Sequence, residues 1–135
     1  MNKKKLLIIV GIIFSVLITI FLLVGAALLY RENDKIQIIN TTQKWANLEE
    51  FPKDAEILSV EKSGSSFSRE FNVSFKLSEK EIRYWLRNSP GTKGIIPEIN
   101  NEIEIYSIKP SEGAQFAEIK YDTKTNIVYI RVYWS

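Results

Sequence analysis

Residues Leu6–Leu29 read LLIIVGIIFSVLITIFLLVGAALL, 24 residues without a charge, 18 of them Leu, Ile, Val or Phe. As a helix this stretch is roughly 36 Å long at about 1.5 Å per residue, enough to cross a hydrocarbon core of about 30 Å with modest tilt. Side chains of this kind favour the bilayer by about 0.3–0.6 kcal/mol each. Only Ser15 and Thr19 carry polar groups, and their hydroxyls can bond back to the helix. The first expectation is therefore a single membrane-spanning helix over residues 6–30, with the lipid bilayer as an obligatory partner.

Lys3, Lys4 and Lys5 precede the span, while the mixed set Arg31, Glu32, Asp34 and Lys35 follows it. The dense positive cluster is the side retained in the cytoplasm. Residues 1–5 then form a cytoplasmic basic tail and residues 31–135 lie outside the cell membrane. The alternative is a secretory signal, cleaved near Ala26 after Val24-Gly25 and releasing the remainder. The apolar run exceeds the roughly 7–15 residues of such a signal's core, which favours an uncleaved signal anchor. Gly11, Ser15 and Thr19 recur every fourth residue and define a small-residue stripe, a candidate helix-association face.

The formal charge of +2 conceals an asymmetry. Three of the 18 basic residues are Lys3–Lys5, leaving 15, and all 16 acidic residues lie beyond the span, so residues 31–135 carry 15 − 16 = −1. A nearly neutral exported part has no electrostatic footprint for nucleic acid. The chain contains neither Cys nor His. That excludes a disulfide framework, a thiol nucleophile, a Ser-His-Asp triad and a Cys/His zinc centre. No cofactor is expected. The chemistry left open is carboxylate-based, a Ser-Lys pair or an oxygen-ligand cation site.

About 105 residues follow the anchor, room for one small domain. Residues 31–54 are polar, carry only a weak helical spacing and end near Pro52, and read as a partly helical stalk. The domain is expected over residues 55–135. Ala55–Lys62 reads as a strand, Ser63–Ser66 as a turn, and Phe67–Leu77 alternates, with Phe67, Phe71, Val73, Phe75 and Leu77 on one face. Ser78 with Glu81 forms a helix-start capping box, flanked by the hydrophobic pair Leu77 and Ile82. Ile82, Trp85 and Leu86 line one face of the helix that follows. Residues 92–101 read as a loop. Glu102–Lys109, Ala114–Tyr121 and Ile127–Trp134 complete the pattern. In the last strand both rows are bulky, which predicts a strand that is central or covered on both sides. The expected fold is α+β: an antiparallel sheet of about five strands in the order β-β-α-β-β-β, with one helix on one face and the other face wet.

Glu98, Asn100, Asn101, Glu102 and Glu104 are oxygen donors of the kind calcium takes, but their spacing does not match a calcium-loop pattern. Arg83 and Arg87 from the helix, with Tyr129, Arg131 and Tyr133 from the last strand, are of types enriched at protein interfaces. They form the candidate interaction surface. The sequence thus points to a membrane-anchored, non-enzymatic extracytoplasmic binding or accessory module with a protein partner in the membrane or envelope. An immunity or inhibitor protein is one such role. The alternatives are a small carboxylate-based envelope hydrolase, or a subunit of a membrane complex assembled through its span.

Overall fold

The computed structural model describes residues 2–135 and divides into two compact units, one ending at Ile36 and one running Gln37–Ser135. The first consists of the helix α1 (Lys3–Trp45) up to Ile36. Over residues 6–29 its large apolar side chains are 44–79% exposed. By length and composition it is a candidate membrane span, and none of its most apolar window is buried.

The second unit holds the rest of the structure. Its strands are β1 (Glu56–Ser65), β2 (Ser68–Lys76), β3 (Glu98–Asn100), β4 (Ile103–Ile108), β5 (Phe116–Asp122) and β6 (Ile127–Trp134), with α2 (Glu79–Asn88) between β2 and β3. They make one antiparallel sheet in the order β1-β2-β6-β5-β4-β3. The fold is α+β, with six strands rather than five. The additional strand, β3, lies in the segment 92–101 read as a loop. It is three residues long, too short for alternation to register, and pairs Ile99 with Glu104. β6 is central, between β2 and β5.

Opposed residues across an antiparallel ladder share a face. One face is therefore built from the rows Phe71-Val132-Ala117-Ile108, Val73-Ile130-Ile119-Tyr106 and Phe75-Val128-Tyr121-Glu104. Every one of these residues is buried. This is the core, and two helical segments cover it rather than one. α2 brings Ile82, Trp85 and Leu86. The last turns of α1 bring Ile38 and Thr42, and the turn just after it brings Ala46, all buried, while Trp45 stacks on Phe71 at 5.2 Å. Residues 37–54, read as a stalk, thus belong to the packed unit. Their apolar positions are too sparse for a strong helical period, yet each reaches the core.

Local chemistry explains the helix ends. Asn47 adopts φ 50°, a left-handed conformation that Asn tolerates, while its N–H bonds Lys44 O and Leu48 N–H bonds Gln43 O. At α2 the Ser78 hydroxyl accepts Glu81 N–H, the first half of the expected capping box, but the Glu81 carboxylate takes its bond from the Ser78 hydroxyl rather than from the Ser78 backbone N–H. Phe67 departs from expectation: β1 runs on through Ser65, so Phe67 falls in the turn and is 84% exposed. Gly91 is fixed by close approach. Its N–H bonds Asn47 O, and an added Cβ would run into the backbone oxygen of Ala46.

Thr42 is fully buried, and its hydroxyl is the buried side-chain polar atom without a partner among the described residues. Leaving such a group unbonded costs about 1–3 kcal/mol, whereas an isosteric methyl costs nothing in hydrogen bonds. Thr42→Val should therefore raise the unfolding free energy by about 1 kcal/mol, read from chemical denaturation of the full chain in detergent. A destabilisation of similar size would show that the hydroxyl is bonded in solution.

Candidate functional site

The five residues of the candidate interaction surface separate onto opposite sides of the sheet. Tyr129, Arg131 and Tyr133 alternate along β6 on the face that no helix covers. Arg83 and Arg87 stand on α2, over the core face.

On the uncovered face the cross-strand rows are Glu70-Tyr133-Phe116, Asn72-Arg131-Glu118 and Ser74-Tyr129-Lys120. Arg131 grips Glu70 through Nε and Nη2, each at 3.0 Å, and Asn72 donates to the same carboxylate at 3.0 Å. The Arg131 bonds, then the Asn72 bond, hold the Glu70 carboxyl below the usual carboxylate range. The Arg131 guanidinium also lies 5.4 Å from the Phe116 ring centre. Lys120 pairs with Glu118 at 3.4 Å, and the Ser59 and Ser74 hydroxyls share a hydrogen bond of 2.6 Å. Tyr129 is 47% exposed amid these groups. The face carries a groove of about 370 Å³ whose lining includes Asn72, Lys120, Tyr129 and Arg131. The charges of Arg131 and Lys120 are paired within the face, leaving aromatic edge and hydrogen-bonding capacity together with the carboxylate of Glu61 for contact.

On the opposite side, Arg83 donates from Nη1 and Nη2 to Glu104 at 2.6 and 2.8 Å. Tyr106 OH adds a bond to Glu104 at 2.9 Å, and the Arg83 guanidinium lies 5.0 Å from the Tyr121 ring centre. The Arg83 bonds draw the Glu104 carboxyl down against the opposing effect of burial, and the pairing raises Arg83. Burial, with the Glu104 bond adding to it, pushes Tyr106 up to about 12. Burial likewise raises Tyr121, whose hydroxyl donates to Asn126. This cluster ties α2 to β4 and β5. Arg83 is therefore engaged inside the fold, while Arg87 borders a separate groove between α2 and the 49–52 segment.

The Arg83–Glu104 pair was not legible in the sequence, where Glu104 grouped with Glu98, Asn100, Asn101 and Glu102 as oxygen donors. Glu102 sits in the turn before β4, where its backbone oxygen takes bonds from Thr123. A signal for Glu104 did exist: it lies in phase with the bulky Tyr106 and Ile108. No group of three or more Asp and Glu residues able to hold a metal ion occurs among the described residues. In the first unit Gly11, Ser15 and Thr19 lie four residues apart along α1, and the Thr19 hydroxyl bonds back to Ser15 O at 3.0 Å.

No protein-family model, curated protein or solved structure matches the chain.

Proposed function

We propose that this chain is a single-pass, membrane-anchored binding module without catalytic activity. Residues 31–135 stand outside the cytoplasmic membrane and engage a protein partner of the membrane or envelope through the uncovered face of the sheet. The observation that carries this reading is the grouping of Tyr129, Arg131, Tyr133 and Phe116 on one uncovered face. Tyrosine and arginine give large contact area with both apolar and hydrogen-bonding character, and they dominate binding energy at interfaces. The internal pairing of Arg131 with Glu70 orients the guanidinium in advance, which lowers the ordering cost of association. Anchoring adds effective concentration toward any partner in the same membrane.

Two of the carboxylates, Glu70 and Glu104, are poorly suited to an acid role. A carboxylate-based hydrolase needs one acid with a raised pKa to protonate its leaving group. Glu70 and Glu104 are both lowered, each clamped by an arginine.

The test is site-specific photo-crosslinking in intact cells, using the full chain with a photoreactive residue at Tyr129 or, off the face, at Ser66. Position 129 should give a discrete higher-mass protein adduct that position 66 does not, and Arg131→Ala should reduce it at least fivefold. Equal adduct patterns at both positions would remove the basis for a binding face here.

A further inference from the structure

The groove beside α2 holds about 630 Å³ and is lined by Pro52, Tyr84 and Trp85 between walls of opposite charge. This volume lies within the roughly 300–1,000 Å³ of small-ligand sites. Glu49 and Glu50 supply one wall, and α2 supplies the other, with Lys80 and Arg87 and the carboxylate of Glu81. None of the side chains of Glu49, Glu50, Lys80 and Arg87 forms an ion pair or hydrogen bond among the described residues. Opposite charges therefore face one groove without neutralising each other. The third acid there, Glu81, is engaged by the Ser78 hydroxyl. The groove wall is also set in place: Trp85 Nε1 donates to Glu49 O, and Glu49 N–H bonds the Ser89 hydroxyl.

We infer that this groove binds the headgroup of a zwitterionic phospholipid of the phosphoethanolamine class. A ligand with an ammonium at one end and a phosphate at the other completes both walls at once, which neither a simple anion nor a simple cation does. The Arg87 guanidinium offers a planar donor fork matched to phosphate oxygens, and Lys80, on the same side of α2 two turns earlier, adds positive charge. Glu49 and Glu50 accept the ammonium hydrogens. A primary ammonium uses those acceptors, whereas a quaternary one has no N–H to donate. Tyr84, 65% exposed, offers its ring to the intervening methylenes. The lipid is favoured as the source because the same chain carries an apolar segment long enough to span a bilayer. This site does not depend on the uncovered sheet face.

The test uses the full-length chain in nanodiscs of phosphatidylglycerol, titrated calorimetrically with glycerophosphoethanolamine. Saturable binding is expected. Arg87→Ala and Glu50→Gln, each checked for an unchanged circular dichroism spectrum, should weaken it at least tenfold, and Tyr129→Ala should leave it intact. Glycerophosphoglycerol, ethanolamine or glycine binding equally well would overturn the assignment, as would no saturable binding of glycerophosphoethanolamine. Nanodiscs of phosphatidylethanolamine should suppress the titration at least fivefold because their own headgroups fill the groove. An unchanged titration there would rule out the lipid as the source.

Discussion

Trp85→Ala should lower the unfolding free energy of the Gln37–Ser135 unit by about 3–5 kcal/mol, the range for truncating a large buried aromatic. Trp85 is 3% exposed and meets Phe75 edge-on at 5.4 Å and Phe51 at 5.8 Å. Phe51 in turn lies 4.9 Å from Phe75. The three rings join α2, the 49–52 segment and β2, so truncation opens a cavity shared by three elements. The indole also donates to Glu49 O. Trp85→Phe keeps most of the ring volume but loses that bond, and should cost about 1–2 kcal/mol. Urea denaturation of the full chain in detergent, followed by circular dichroism, reads both values. A loss below about 1 kcal/mol for Trp85→Ala would show that α2 is held by something else.

Arg83→Met should cost about 2–4 kcal/mol at neutral pH. It leaves Glu104, 8% exposed, with Tyr106 as its only side-chain hydrogen-bond donor among the described residues. Breaking a fully buried pair costs about 3–5 kcal/mol. The expectation is reduced because the Arg83 side chain keeps 36% exposure and is partly screened. The double variant Arg83→Met/Glu104→Leu should recover most of the loss, since it removes the orphaned charge together with its partner. The pH dependence has a definite sign. The folded-state pKa of Glu104 is depressed below its ordinary 4.5. Its contribution is therefore complete above about pH 4.5 and is lost as pH falls through the lower folded value. The stability gap between the native chain and Glu104→Gln should be constant from pH 7 to about 5 and shrink below that. A gap that widened on acidification would contradict the pairing.

The elements that depend on local rules were readable from the residues alone. The period-two rows Phe71-Val73-Phe75 and Val128-Ile130-Val132 marked two strands of the core face, and they prove to be neighbours in register. Ser78 and Glu81 marked the start of α2 because capping is decided within one turn. What escaped was non-local. β3 is held by its ladder with β4, and three residues carry no period of their own. Ile38 looks like an isolated apolar residue in a polar stretch until the core is brought against it. The candidate surface divided for a different reason. Composition groups Arg83 with Arg131, although a single helix on one face already leaves the Tyr129-Arg131-Tyr133 row of β6 for the other, where the ladder places it. Arg83 and Glu104 are 21 residues apart, and nothing between them signals that they meet.

The most direct measurement is topological, and the absence of cysteine makes it clean. Asn2→Cys and Ser66→Cys are introduced singly into the full chain and exposed to a membrane-impermeant maleimide in intact cells. An N-in anchor predicts that the chain fractionates with membranes, that Ser66→Cys is labelled from outside, and that Asn2→Cys is labelled only after permeabilisation. Labelling of Asn2→Cys from outside with Ser66→Cys protected would contradict it. So would recovery of the chain in a soluble fraction, whether intact or lacking residues 1–26.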